Sequence, residues 1–183
     1  NDAGWLHAGR PRREAARIAL RLALRTQVAE LTADAAGFAA AVAGVAERHT
    51  ETWMPDQTYL QQAQPSTFGH YLLSFAFPAL RDAERLMTGL DWVDRSPGGA
   101  GCVNGSRLVV DREHVARLLG FNGVIEHTRD AMWQLDGLVS LLASSASLVT
   151  SQSKLAEDLE IWASEEFDFV DLAGPYTRAS VLM

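Results

Sequence analysis

Cysteine is nearly absent from this 183-residue chain. Cys102 stands alone, so no intramolecular disulfide can form, and a reducing, cytoplasmic compartment is the expectation. Basic residues are outnumbered, 16 Lys and Arg against 23 Asp and Glu, and the formal charge of -7 opposes binding to phosphate backbones or anionic lipid. Neither a nucleic-acid nor a membrane partner is expected. Long apolar runs are scarce too: Tyr71 to Leu80 and Leu138 to Val149 fall short of the roughly 20 residues that span a bilayer, so no transmembrane segment is expected. The opening residues, Asn1 to Trp5, lack an initiator methionine and the basic-then-apolar order of a signal peptide. The chain is therefore expected to begin within a longer protein. It stops at Ser180-Val181-Leu182-Met183 just after a turn, which predicts a continuation there as well.

Missing motifs exclude further chemistries. No two of His7, His49, His70, His114 and His127 stand three or four residues apart, and there is no cysteine cluster, so the ligand spacing for zinc is lacking and no metal is expected. The glycine-rich run Ser96-Pro97-Gly98-Gly99-Ala100-Gly101 lacks the Lys-Ser or Lys-Thr that completes a phosphate loop. No cofactor is expected. A Gly-x-Ser-x-Gly nucleophile elbow is absent.

What is present reads as helix. With 48% hydrophobic residues the chain can bury a core, and residues 1–183 are expected to form one helical-bundle domain. From Arg12 to His49, Leu24, Val28, Leu31, Ala35, Phe38, Val42 and Val45 recur at alternating steps of four and three, a heptad seam that packs at a shallow angle against neighbouring helices. Pro11 and Glu14 suit a helix start. Thr50 to Gln64 has no clear period and predicts a loop. Pro65-Ser66-Thr67 opens a second helix in which Pro78 predicts a bend. Asp111 predicts the cap of a short helix closed by Gly120. A third long helix is predicted from Thr128 to Trp162, where the serine-rich stretch Ser144 to Ser153 marks either close packing or a break. Strand-like alternation is confined to scraps such as Arg107 to Val110, so the fold class is all-α.

Polar residues at helix ends and loops remain for chemistry: Arg10, Arg12 and Arg13; Thr58, Tyr59, Gln61 and Gln64; and Ser180. Arginines in a first helical turn are disfavoured by the dipole, so those around Pro11 point either to a bound anion or carboxylate partner or to solvated charge.

Consecutive blocks of the chain resemble signatures of argininosuccinate lyase, in the fumarase/aspartase superfamily. They run from Leu6-His7-Ala8-Gly9-Arg10-Pro11-Arg12-Arg13-Glu14, through Met54-Pro55-Asp56-Gln57-Thr58-Tyr59-Leu60-Gln61-Gln62-Ala63-Gln64-Pro65 and Phe68-Gly69-His70, to Arg81-Asp82-Ala83-Glu84-Arg85-Leu86. Asp111-Arg112-Glu113 with Leu118-Leu119-Gly120-Phe121 follows, then Leu155-Ala156-Glu157-Asp158-Leu159 to Trp162 and Glu166-Phe167-Asp168-Phe169-Val170. The start of a serine loop at Ala179-Ser180-Val181-Leu182-Met183 completes the order. The resemblance implies a central helical-bundle domain in a homotetramer, with each active site drawn from three subunits. It implies a carbon–nitrogen lyase that eliminates an amine or guanidine from an N-succinyl adduct and releases fumarate. Ser180 corresponds to the base that removes the proton beside a carboxylate; Thr58 and Tyr59 join it as catalytic residues, and Arg12, Arg13, Gln64 and His127 would bind substrate.

Several of these positions depart from the family pattern. Arg13 replaces an asparagine, and Tyr59 stands where the family has histidine; an unperturbed tyrosine titrates near pH ~10, so proton handling differs. The family's Asn-Ser is His127-Thr128, and its Asp-Arg-Asp is Gln134-Leu135-Asp136. Framework blocks with altered site residues fit a lyase of changed substrate, or a non-catalytic homologue that binds a partner or serves a structural role.

Overall fold

The computed structural model describes residues 2–5, 7–108 and 110–176; Ser180 lies outside them. Alanine and leucine carry the chain through one uninterrupted helix, α1 (Arg12–Arg48), which at about 1.5 Å per residue is roughly 55 Å long. Val28, Ala35 and Val42 of the predicted seam are buried, and Leu24, Leu31, Phe38 and Val45 pack half-buried beside them. Ala39 and Ala46 complete the contact line. Against these small side chains lies α2 (Phe68–Val93), antiparallel to α1: Gly69 meets the Ala46 carbonyl at one end and Arg21 reaches the Trp92 carbonyl at the other. The helix runs through Pro78 without interruption.

The apolar stretches weighed in the sequence did not include α1. By length and composition that helix is apolar enough to cross a bilayer. Its alanines raise mean hydropathy, while Arg, Glu and Asp residues keep it from forming an uninterrupted run of roughly 20 apolar residues. In the fold it lies along α2, seam inward.

Thr50 to Gln64 is not a loop. Trp53–Thr58 and Gln61–Thr67 form an antiparallel hairpin, β1 and β2, with Trp53 opposite Thr67, Thr58 opposite Gln61 and an irregularity between Pro55 and Gln57. Pro55 pairs with Pro65. Prolines lack the ladder donor and sit only on edges or at bulges, so a strand carrying them reads as a loop. The second helix consequently opens at Phe68, where the Thr67 hydroxyl accepts the His70 N–H at 3.2 Å.

The short helix α3 (Arg112–Leu118) agrees with expectation. Asp111 caps it by accepting the His114 N–H at 2.9 Å, and Gly120 closes it with φ +70°. The third long helix starts at Thr128 but divides into α4 (Thr128–Trp133) and α5 (Asp136–Trp162). Gln134 is extended between them, which lets Met132 pack with Ala100 and Ala131 while Leu141 turns to Val28, Leu86 and Val93. The serine-rich stretch does not break α5. Ser144, Ser145 and Thr150 each donate to the carbonyl four residues earlier, so their hydroxyls are satisfied within the helix. Tyr71 against Asp158 and Gly89 against Leu141 set α5 antiparallel beside α2.

Candidate active site

The predicted site residues fall into two groups at opposite ends of α1. Arg12 and Arg13 occupy its first turn and are exposed. Arg13 lies over the Trp133 indole, its guanidinium carbon 4.0 Å from the ring centroid. Arg17, one turn on, donates to the Met132 carbonyl at 3.3 Å. The same α4 carries His127 at its cap, where Nδ1 accepts the Asp130 N–H at 3.3 Å.

A strap of chain supports this end. Glu14 is 1% exposed, and its two carboxylate oxygens accept N–H groups from Gly99 and Gly101 at 2.9 and 2.8 Å. Gly101 has φ +66°, and a Cβ there would stand 2.2 Å from the Gly105 carbonyl oxygen, so glycine is required. The glycine run therefore does cradle an anion, but the anion is a side chain of the same protein. Arg112 donates to the Gly98, Ile125 and Glu126 carbonyls. Thr128 donates to Val103 and the Trp133 indole to Cys102. The sequence reading gave Glu14 only a dipole role and did not single out Arg112 or Trp133; the signal available was a buried acid one turn into a helix with a glycine run elsewhere in the chain.

The second group belongs to the hairpin, beyond the other end of α1. Thr58 ends β1, Gln61 and Gln64 lie on β2, and all three are exposed. Tyr59 and Leu60 form the two-residue turn with φ +55° and +58°. Both are left-handed, the conformation of a type I′ hairpin turn, which favours Asn-Gly and is strained for larger side chains. Tyr59 is 96% exposed. Its phenol is thus presented outward on a backbone held in a disfavoured state.

At the hairpin's base His49, Trp53, Phe68, Trp162 and Phe169 wall a cleft of about 430 Å³ with Asp171 at its edge. Phe68 stacks on Tyr71, which packs against Trp162 at 4.5 Å between centroids. Burial, then the hydrogen bond donated to Asp158, raises the Tyr71 phenol far above its ordinary value. Among the described residues, none of the predicted site residues lines this cleft.

Within one chain Arg12, Arg13 and His127 are thus separated from Thr58, Tyr59 and Gln64 by roughly the length of α1, about 55 Å. Ser180 lies outside the described residues.

A family described as lyase matches residues 1–183. The argininosuccinate lyase of Geobacillus thermodenitrificans (strain NG80-2) is 39% identical over 180 residues, covering 98% of this chain and 39% of that protein. The chain thus spans about two fifths of the length of the curated relatives it matches. A crystal structure of EDDS lyase in complex with formate shares the fold at a TM-score of 0.95 and 26% identity, covering 100% of this chain and 37% of that one. An EDDS lyase variant with bound fumarate gives 0.94 and 26%, over 99% and 36%. With every residue matched and the fold shared end to end, the chain belongs to the lyase family, within the fumarase/aspartase superfamily and alongside the argininosuccinate lyases.

Proposed function

We propose that the protein is a carbon–nitrogen lyase of argininosuccinate-lyase type that eliminates an amine or guanidine from an N-succinyl adduct and releases fumarate, with a substrate changed from argininosuccinate. The observation that carries this reading is the unbroken match to argininosuccinate lyases over 98% of the chain, joined to the EDDS lyase fold, a variant of which holds fumarate. In the elimination a base takes the proton beside a carboxylate, the electron pair forms the fumarate double bond, and the carbon–nitrogen bond breaks with its pair passing to nitrogen. Ser180 is assigned as the base and Thr58 and Tyr59 as groups that hold or hand on protons. Arg12, Arg13, Gln64 and His127 would bind the substrate's carboxylates and amide-like groups.

Such a site needs more than one subunit. In a bundle of antiparallel copies the first turn of one α1 lies beside the hairpin of another, which would unite the two groups. Exposed apolar stripes support association into a homotetramer: Leu135 at the start of α5 with Val139, Leu142 and Val149 along it, spaced by four, three and seven, and Phe77, Leu80 and Met87 along α2. Heptad-spaced stripes of this kind pack against other helices.

The test incubates the full-length protein with argininosuccinate and a panel of N-succinyl amines and follows fumarate by absorbance. The reading expects fumarate from at least one adduct and its loss in Ser180→Ala. Tyr59 in place of histidine favours the second reading, a non-catalytic homologue that binds a partner or serves as a structural element. Absence of fumarate from every adduct would establish that one.

A further inference from the structure

Charges of both signs converge without pairing in a pocket of about 330 Å³ between α1, the end of α2 and α4. Arg21, Trp92, Arg95, Glu126, Asp130 and Gln134 line it. Arg21 is 5% exposed; its guanidinium lies over the Trp92 indole at 4.0 Å and donates to the Trp92 carbonyl. The ion pairs among the described residues are Arg25 with Asp94 and Arg85 with Asp82. Thus neither Arg21 nor Arg95 has a carboxylate within ion-pair distance, although Glu126 and Asp130 share their pocket. Burial first and the neighbouring Arg17 charge second draw the Arg21 guanidinium down to about 10, while Asp130 and Asp136 work in the opposite direction. A buried cation that short of anions is stabilised by any carboxylate brought to it.

We propose that this pocket binds a small zwitterion of the α-amino-acid class, its carboxylate held by Arg21 and Arg95 and its ammonium by Glu126 and Asp130. A simple anion would satisfy the guanidiniums but meet two uncompensated carboxylates, and a simple cation would meet the reverse. A molecule carrying both charges on adjacent atoms satisfies each half. The indole of Trp92 with Val124 and Ile125 gives the remaining wall an apolar surface, which suits an aliphatic side chain. Of the lining residues only Gln134 falls at a position that departs from the family pattern, and among the described residues none given a catalytic or substrate-binding role lines this pocket, so norvaline binding and fumarate release test the two readings separately.

A matched ligand set tests the pairing of charges in the full-length protein: norvaline, pentanoate and butylamine share a carbon chain and differ only in which charges they carry. Calorimetric titration is expected to give saturable norvaline binding, with pentanoate and butylamine weaker by about tenfold or more. Arg95→Gln and Glu126→Gln, both at exposed positions, are each expected to weaken norvaline by about tenfold. Arg95→Gln also weakens pentanoate and spares butylamine, and Glu126→Gln does the opposite. Absence of saturation by norvaline, equal binding of norvaline and pentanoate, or norvaline binding unchanged in both variants overturns the proposal. Norvaline binding that survives when no adduct yields fumarate would leave it intact.

Discussion

Glu14 and Gly101 sit 87 positions apart in sequence, and the carboxylate Oε2 of the first accepts the backbone N–H of the second at 2.8 Å. With Gly99 on the other oxygen, this contact ties the strap that carries α4 to the first turn of α1. Glu14→Gln keeps one acceptor but turns an NH2 toward the other glycine N–H. Because charge-assisted bonds are worth about 1.5–3 kcal/mol and an unmet buried donor adds its own penalty, the loss should be about 3 kcal/mol. Urea denaturation measures it, and a change below about 0.5 kcal/mol would deny the strap its anchor.

Two glycines on neighbouring helices predict opposite outcomes. A Cβ at Gly69 would lie 2.4 Å from the Ala46 carbonyl oxygen, a backbone atom that cannot rotate away. Gly69→Ala should therefore destabilise by about 3 kcal/mol. At Gly44, inside α1, an added Cβ meets nothing within 4 Å, and Gly44→Ala should stabilise by about 1 kcal/mol. Thermal melts of both variants provide the comparison. Destabilisation by Gly44→Ala would mean that another chain covers that face.

The turn at Tyr59 and Leu60 separates stability from chemistry. Leu60→Gly relieves a left-handed residue and should stabilise the hairpin by about 1 kcal/mol. Tyr59→Phe removes a hydroxyl from a side chain that is 96% exposed, so stability should stay within about 0.5 kcal/mol. A fall in fumarate release by that variant, at unchanged melting temperature, would assign the phenol a chemical role; unchanged turnover would remove it from the mechanism.

The Tyr71 phenol supplies a pH prediction. Its pKa is raised in the folded state by burial and by Asp158, so above pH 10, its ordinary value, the unfolded chain releases a proton that the folded chain keeps. Its contribution to stability is whole below pH 10 and declines as pH rises beyond it. Tyr71→Phe should flatten that part of the stability profile. In difference absorbance between parent and variant, phenolate from Tyr71 should emerge only with unfolding; its appearance in the folded protein near pH 10 would refute the assignment.

Much of the helical framework was legible in the sequence because it rests on local rules. The α1 seam, the Asp111 cap and the Gly120 stop follow from spacing and from the hydrogen-bonding reach of single side chains. The hairpin was not legible, since Pro55 and Pro65 erase the strand signal and only their mutual pairing restores it. Likewise nothing local about Gln134 announces an extended residue. It is the packing of Met132 on one side and Leu141 on the other that divides α4 from α5.

The candidate site divides in the same way. By its residue order the sequence determined the family, the long helices and the identities of Arg12, Arg13, Thr58, Tyr59, Gln64 and His127 as residues to consider, because motif and period are properties of neighbouring positions. Only the tertiary structure decided that these residues stand at the two ends of a 37-residue helix, that the glycine run receives the Glu14 carboxylate, and that Arg21 is buried with no carboxylate of the described residues within ion-pair distance. Those outcomes depend on which distant groups meet when apolar surfaces close on each other.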